Sequence, residues 1–600
     1  MSRPGRRGLR LAAAALAIVV SAVAAPVAAA EVCTQPSVLQ VDDLRAGMKG
    51  TALTVVQGYS PSTFNVEILG VLPDGIAPGI DFILVKTSGH VIEETGGIAA
   101  GMSGSPVYVN GKLVGAIAYG FSAADQTIGG VTPIQPMLDV INYPLLAAAS
   151  TAPRQARSVK LSAGLERTAA RAAGVSTAEF PSTAKQLLVP VGVSGLNGRA
   201  MDKLTERINK DGRRFAPYRA ASAQAVDDPA EGSLTEGSAV GAAASYGDLT
   251  FAGVGTLTAT LACGTEQRSV AFGHPFFFDG ETSLGWNRAE VITVVPDPSN
   301  LFGPFKIANL DPELRGTVDQ DRLAAIRAVE GDGPALSPVV SHIANSDLGT
   351  SRDGKTDIAR QDFVSFLAPF HLLLNYDRVF DRIGGGSSDL SWTIRGTRAS
   401  GTPFELSRRN MYYSPWDISF ESIFELESHL FTLQDNPFED VRIDEVELDS
   451  TITQRNRSAT IKRVLSASSL QPTFKSRNVL FVRRGDTIKL RVSLLPAGAT
   501  VARTVAMSVI VPRRFGEGIL EVRGGSGSDE CAFGCEEFGE GDGGGGSGPA
   551  TFDELLGLLA NADHTYDLVA NLDLNGRQRK AVAVQPNIVL GGKRIFVVVR

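Results

Sequence analysis

From Val41 onward the chain is a succession of short runs rich in β-branched and apolar residues, each closed by a turn signal, and no long helical heptad interrupts it. Only many short strands satisfy such a pattern, because strand side chains alternate between two faces whereas a helix needs an apolar stripe at a period of 3.6. The runs Thr51–Gln57, Thr63–Leu72, Asp81–Thr87, Val107–Val109 and Lys112–Tyr119 predict a small antiparallel barrel over 41–146. Asn110-Gly111 between the last two is a strong hairpin signal, since a type I′ turn needs positive φ at both central residues. Gly 64 and Pro 31 in 600 residues supply the turns, and at roughly 100 to 200 residues per domain the length allows about three to five units.

The stretch 147–230 is rich in Ala, Arg and Ser, with helical segments at Ala163–Ala173 and Lys203–Lys210, and reads as a helical or linker insert. Strand-like runs resume at Ala239–Ala244, Leu249–Ala259 and Gln267–Phe272, which predicts a second barrel over 231–345. Alternating strands such as Asp389–Ile394, Val441–Leu448 and Ile488–Leu494 predict a C-terminal β-rich module over 360–600, similar in spacing to a β-sandwich. Within it, 524–549 is a Gly-rich, acidic loop, and Thr551 is placed to cap a helix running to Asn561. The fold class expected is therefore mainly β.

Residues 1–30 read as an export signal and not as structure: Arg3, Arg6, Arg7 and Arg10 precede an apolar run from Leu11 to Ala25, and Ala28-Ala29-Ala30 offers a small-residue cleavage site. A secreted, periplasmic or cell-envelope location is expected, with the signal either removed or kept as an anchor. Removing the four arginines takes the formal net charge from −7 to −11, which disfavours nucleic acid and anionic membrane surfaces as partners. Four cysteines in an oxidising compartment predict disulfides. Cys531 and Cys535 are close enough to bridge locally, which leaves Cys33 and Cys263 as a long-range pair by elimination. No His-x-x-x-His or Glu-x-x-His pattern occurs and the cysteines lack metal-ligand spacing, so neither metal nor cofactor is expected.

The segment Gly101-Met102-Ser103-Gly104-Ser105-Pro106 places one hydroxyl inside a Gly-flanked turn. Small neighbours let a substrate carbonyl approach, and nearby backbone N–H groups can face its developing oxyanion. Ser103 is the natural nucleophile, with the Gly101 and Ser103 amides as the oxyanion hole; an ordinary Gly-rich hairpin turn has the same local pattern. The segment Gly129-Gly130-Val131-Thr132-Pro133-Ile134 is a candidate edge for an extended peptide, with Val131 and Thr132 at its centre.

Glu94–Tyr119, through Gly101-Met102-Ser103-Gly104-Ser105-Pro106 and Asn110-Gly111-Lys112-Leu113-Val114-Gly115-Ala116, closely resembles the nucleophile region of the SpoIVB-type serine peptidase family. A second block, Gly237-Ser238-Ala239-Val240-Gly241 with Gly253–Thr258 and Ala271-Phe272-Gly273-His274, resembles that family's histidine region. The resemblance implies a chymotrypsin-like double β-barrel whose serine and histidine halves stand in permuted order, with His274 as general base. It also implies a protein or peptide substrate, membrane-linked regulators among them. By the same resemblance the family's aspartate falls on Ser88, which becomes the candidate histidine orienter, with Asp81, Glu93, Glu94 and Asp279 as substitutes. A lone histidine in a run as aromatic as Phe272–Phe278 also suits a hydrogen-bonded core residue. Loss of an orienting carboxylate costs about four orders of magnitude in turnover, so a catalytically weak or inactive scaffold that binds extended peptides or envelope partners is the alternative reading.

Overall fold

The computed structural model describes residues 33–121, 125–145, 158–209, 215–220, 234–297, 299, 303–525 and 548–600. The export signal expected over 1–30 and the Cys531/Cys535 pair lie outside these residues. The first barrel comprises β1 (Lys49–Thr54), β2 (Ser62–Ala77), β3 (Ile80–Ser88), a short helix α1 (His90–Thr95), β4 (Pro106–Val109), β5 (Lys112–Gly120) and β6 (Ile128–Pro133). Neighbours run β1-β2-β3-β6-β5-β4, and β4 pairs back onto β1, so the antiparallel sheet closes into a ring of six. Asn110 (φ 53°) and Gly111 (φ 73°) form the tight turn expected between β4 and β5. The helix α2 (Ile134–Ile141) follows and packs its apolar face against β5 and a later strand.

The stretch 147–230 is more than a linker. It supplies β7 (Ser158–Lys160), α3 (Ala163–Ala173) and β8 (Thr183–Gln186), which extend the first barrel through β5. It then supplies β9 (Val189–Val193), α4 (Gly198–Ile208) and β10 (Phe215–Arg219), which join the second barrel. Helix α3 has the bounds expected from sequence because Ser162 accepts a hydrogen bond from the Leu165 N–H at its start and Gly174, at φ 72°, ends it.

The second barrel consists of β11 (Ala239–Gly247), β12 (Phe251–Cys263), β13 (Glu266–Ala271), β14 (Gly280–Val295), β15 (Phe305–Asp321) and β16 (Ile326–Glu330). Its ring runs β11-β12-β13-β16-β15-β14 and closes through β14–β11. Numbered from the first strand of each, both rings have the order 1-2-3-6-5-4, so the two barrels share one topology. An N-terminal arm ties them together: Cys33 is disulfide-bonded to Cys263, the Thr34 N–H donates to the Ala262 carbonyl at 2.8 Å, and the Leu39 N–H donates to the Leu113 carbonyl at 3.0 Å.

Past the second barrel the same sheet continues, because β18 pairs with β11. This layer holds β17 (Ser337–Asn345), β18 (Thr350–Ile358), α5 (Val364–Phe380), β19 (Gly386–Arg398), β20 (Pro403–Ser414), α6 (Ile418–Glu421), α7 (Phe424–Gln434) and β21 (Val441–Thr453). Helix α5 is buried on nearly every side, so its sequence shows no single apolar stripe. His371 fixes it to the sheet, with Nε2 2.9 Å from Ser341 Oγ and Nδ1 2.8 Å from Thr356 Oγ1. Burial pushes this imidazole down to about 4, so it is neutral at pH 7.

The final unit comprises β22 (Ser458–Ala467), β23 (Val479–Val482), β24 (Thr487–Pro496), β25 (Arg503–Ile510), β26 (Gly516–Gly524), α8 (Phe552–Ala560), β27 (Asp567–Leu574), β28 (Arg577–Val584), β29 (Ile588–Leu590) and β30 (Gly592–Val599). Its two sheets, β25-β24-β22-β29 and β23-β30-β26-β27-β28, enclose one core that includes Leu490, Val492, Val522, Leu572 and Val597. The sandwich thus begins at Ser458 and not near 360, because the preceding strands are hydrogen-bonded into the sheet of the second barrel. Thr551 caps α8 by accepting from the Glu554 N–H, and Phe552 docks edge-on to Phe404, 5.2 Å between ring centres.

The Cys33–Cys263 bridge joins residues 230 apart in sequence. Replacing both by serine is expected to lower the stability of the two-barrel unit by about 2–5 kcal/mol, as loss of a native disulfide does. Guanidinium unfolding followed by fluorescence measures it, and an unchanged midpoint would show that the arm contributes nothing.

Candidate active site

Ser103 lies in the connection from β3 to β4 and His274 in the connection from β13 to β14. These are equivalent connections, from third to fourth strand, of two barrels with one topology. Both residues are fully buried. The turn around Ser103 needs its glycines. Gly101 and Gly104 have φ of 89° and 95°, and a Cβ on Gly104 would lie 1.9 Å from the Thr256 carbonyl oxygen and 2.5 Å from the Phe272 nitrogen. That approach lets barrel two touch the serine directly. The Thr256 N–H donates to the Ser103 carbonyl at 2.8 Å, Thr258 Oγ1 donates to the Gly104 carbonyl at 2.7 Å, and the Phe272 N–H reaches the Thr256 carbonyl at 3.3 Å. On the other side the Gly104 N–H donates to the Ile117 carbonyl at 2.8 Å, and Gly273 packs against Ala116, Ile117 and Ala118. Serine turn and histidine loop therefore share one seam.

Two peptide planes of the turn are anchored by their carbonyls. The Ala100 carbonyl accepts from the Lys306 N–H at 3.0 Å, and the Met102 carbonyl accepts from the Ser105 N–H at 2.9 Å. In a trans peptide the N–H points opposite to the carbonyl, so these bonds fix the directions of the Gly101 and Ser103 N–H groups. Neither N–H donates a hydrogen bond among the described residues, and the Ser103 hydroxyl is likewise without a partner among them. Two aimed, available donors beside an available hydroxyl are what oxyanion stabilisation requires.

His274 follows two residues in left-handed conformation, Phe272 (φ 71°) and Gly273 (φ 69°), and Phe278 (φ 66°) ends its loop. Such backbone persists only where the surroundings over-determine it. Here Thr132 Oγ1 donates to the Gly273 carbonyl at 2.6 Å, and the buried Asp321 carboxylate at the end of β15 accepts the N–H groups of Phe276, Phe277 and Phe278 at 2.8, 2.5 and 2.8 Å. Burial, and then the neighbouring Asp279, push the Asp321 carboxyl from its ordinary 3.8 up to about 6, against the pull of those three donors. Asp279 in turn pairs with Arg360, whose guanidinium lies over the Phe277 ring at 4.2 Å.

The imidazole Nδ1 lies 2.9 Å from Gln186 Nε2 and 2.8 Å from the Pro275 carbonyl, and Gln186 Nε2 also donates to that carbonyl at 3.0 Å. With the Gln186 amide donating to Nδ1, the ring proton sits on Nε2, a tautomer that cannot take a proton from a serine. Moving the ring proton to Nδ1, where the Pro275 carbonyl accepts it, frees Nε2 to act as base. Gln186 and the Pro275 carbonyl thus compete for Nδ1, the amide favouring the Nε2–H tautomer and the carbonyl the Nδ1–H tautomer.

Ser88, the position assigned to the orienter, is exposed at the end of β3 opposite Asn65 and is not the group held against His274. Asp81 accepts the Asp74 N–H in the β2–β3 hairpin, and Glu93, Glu94 and His90 are exposed on α1. Val131 does not form a substrate edge. It is paired to Ile83 of β3 on one side and Ile117 of β5 on the other, so its backbone has no unpaired face to offer a peptide, while Thr132 pairs with Ala116 of β5. Thr132 acts instead through its hydroxyl on Gly273. Gln186, Asp321 and Lys306 escaped sequence reasoning, since each reaches the site from a strand remote in sequence and carries no local motif.

Two closed barrels of one topology, with the serine turn and the histidine loop at their seam, give the architecture of a double-barrel peptidase. Residues 25–138 match the family model described as SpoIVB peptidase S55, which supports a serine peptidase of SpoIVB type. The match contains the serine turn and ends before β11, so it does not include His274. No curated protein and no solved structure matches the chain.

Because the folded state holds the Asp321 proton more tightly than the unfolded chain, this group lowers stability as pH rises from about 4 to about 6. Asp321→Asn should flatten that fall and, having lost one acceptor oxygen, destabilise the loop at pH 4; thermal unfolding at pH 4, 5, 6 and 7 measures both. Gln186→Glu should place an acceptor at His274 Nδ1 and raise the rate of fluorophosphonate labelling at pH 7.5 at least about tenfold, within the roughly 10⁴ that an orienting carboxylate supplies. An unchanged or lower rate would show that Gln186 does not limit the histidine.

Proposed function

We propose that the chain is an exported serine endopeptidase of SpoIVB type that cleaves protein or peptide substrates through an acyl-enzyme. Ser103 Oγ attacks the scissile carbonyl while His274 Nε2, in the tautomer bonded through Nδ1 to the Pro275 carbonyl, takes its proton. The Gly101 and Ser103 N–H groups receive the oxyanion. Collapse of the tetrahedral adduct breaks the C–N bond, and His274 returns the proton to the leaving amine. Water then attacks the ester by the same route and regenerates the Ser103 hydroxyl. The observation that carries this reading is the serine turn itself, inside the family match, with its two peptide planes anchored so that both amides remain available. Zero exposure of Ser103 and His274 means that acylation follows a local opening of the seam. Export is supported by the N-terminal charge and hydropathy pattern and by the Cys33–Cys263 disulfide.

The second reading, a peptidase-like scaffold that binds an extended peptide or an envelope partner, is favoured by one specific observation: an amide and not a carboxylate stands at His274 Nδ1. Fluorophosphonate labelling of the purified protein separates the two. Labelling at Ser103, abolished in Ser103→Ala and reduced at least about 10³-fold in His274→Ala as for loss of a triad base, is the expected result. A folded wild-type protein that takes up no probe between pH 6 and pH 9 would leave the scaffold reading in its place.

A further inference from the structure

Lys306, the second residue of β15, is fully buried, and no carboxylate pairs with it among the described residues. A buried ammonium without a counter-charge is costly and uncommon outside functional sites. Its surroundings are specific. The methylene stem lies against Gly101, whose missing Cβ would come within 3.1 Å of Lys306 Cβ and Cδ. The Lys306 Nζ donates to Thr54 Oγ1 of β1 at 2.8 Å and to Thr256 Oγ1 of β12 at 3.4 Å, so it bridges the two barrels. Thr256 Oγ1 donates onward to the Gly101 carbonyl at 3.0 Å, and the Lys306 backbone N–H holds the Ala100 carbonyl, the other face of the oxyanion-hole peptide. One residue thus touches both ends of Gly101.

We propose that Lys306 is a positioning residue for the oxyanion hole, acting through Thr256 and Gly101 to hold the serine turn across the barrel seam and to place a positive charge behind it. This rests on the peptidase reading above. A cation behind the hole strengthens donors aimed at developing negative charge, and in a site closed to water its field is little screened. Burial alone lowers the Lys306 amine to about 7; no charged side chain contributes. The groups that face it are hydroxyls, Thr54 from β1 and Thr256 from β12, with Gly101 from the serine turn and the Val294 backbone from β14. The amine therefore loses its charge around neutrality. Acylation should decline as Lys306 discharges.

The test compares wild type, Lys306→Met, Thr256→Val and Thr256→Ser. The rate of fluorophosphonate labelling in the wild type should fall as pH rises through about 7 to 8. Lys306→Met should lack that decline and label about tenfold more slowly at pH 6.5, within the range seen on removing one oxyanion-hole donor. Thr256→Val should share the slower rate, and Thr256→Ser should restore it. The Lys306→Met protein should melt no lower than wild type, because a buried charge has been removed, and the difference should narrow as pH rises from about 7 toward 10.5, the range in which the folded amine is already neutral while the unfolded one is still charged. Hydrogen exchange of the peptide covering 99–106 supplies a readout that needs no activity: it should be at least about tenfold faster in Lys306→Met at pH 6.5, the signature of a loosened segment. An unaltered pH profile in Lys306→Met, or unaltered exchange of that peptide, overturns the proposal. A wild type that does not label removes the peptidase reading, and the exchange measurement alone then decides the role of Lys306.

Discussion

The seam between the barrels depends on the absence of a side chain at Gly104. With any Cβ there, the Thr256 carbonyl would have to retreat from a position 1.9 Å away, and with it the Thr256 N–H that holds Ser103 and the Phe272 N–H that begins the histidine loop. Main chain against main chain is the closest packing two barrels can reach, and it allows hydrogen bonds to cross the interface without intervening side chains. Further cross-links, among them Thr258 to Gly104, Thr132 to Gly273 and Lys306 to Thr54, presuppose that approach. The positive φ values at Gly101, Gly104, Phe272 and Gly273 follow from the same requirement, because each chain must turn sharply at the seam and leave without displacing the other.

Polar burial at this seam is arranged by asymmetry of charge. Asp321 sits behind the histidine loop and Lys306 behind the serine turn, at opposite ends of the one strand β15. The acid gathers three consecutive N–H groups of a loop in which Phe272 and Phe278 hold positive φ, so it acts as a local clamp. The base reaches two hydroxyls on different barrels, so it acts as a strap. Both are pushed toward their neutral forms by burial, the acid up and the amine down, and so both titrate closer to neutrality than exposed groups do. Arg288 and Asp311, both buried elsewhere in the second barrel, are instead matched one to one.

The sequence was most legible where structure is local. The Asn110-Gly111 turn, the bounds of α3, the Thr551 cap and the Gly-flanked serine turn each arise from residues within a few positions of one another. The Cys33–Cys263 pair was reached by elimination. Legibility failed where an assignment needed the partner strand. Val131 and Thr132 have the pattern of an edge, yet Val131 is paired on both sides, to Ile83 of β3 and Ile117 of β5. Ser88 follows from the family resemblance, by its offset from the serine, but the group that meets His274 comes from β8, in a stretch whose composition suggests a helical or linker insert. Helix α5 is hidden for another reason: a helix buried all round, against β17 and β18 and against α7, has no apolar stripe.

The order of serine and histidine along the chain ceases to be a difficulty once the two rings are compared. Each has the strand order 1-2-3-6-5-4, and each donates to the seam the connection between its third and fourth strands. Two barrels of one topology that meet through equivalent loops make a site to which either barrel can bring the nucleophile and the other the base. Chain order then affects only the connection between the barrels. Here that connection is used: it adds β8 to the first barrel and β9 to the second, and the last residue of β8 is Gln186. A group that meets the histidine ring thus arrives with the segment that joins the halves, so the surroundings of His274 are built by the linker as well as by the two barrels.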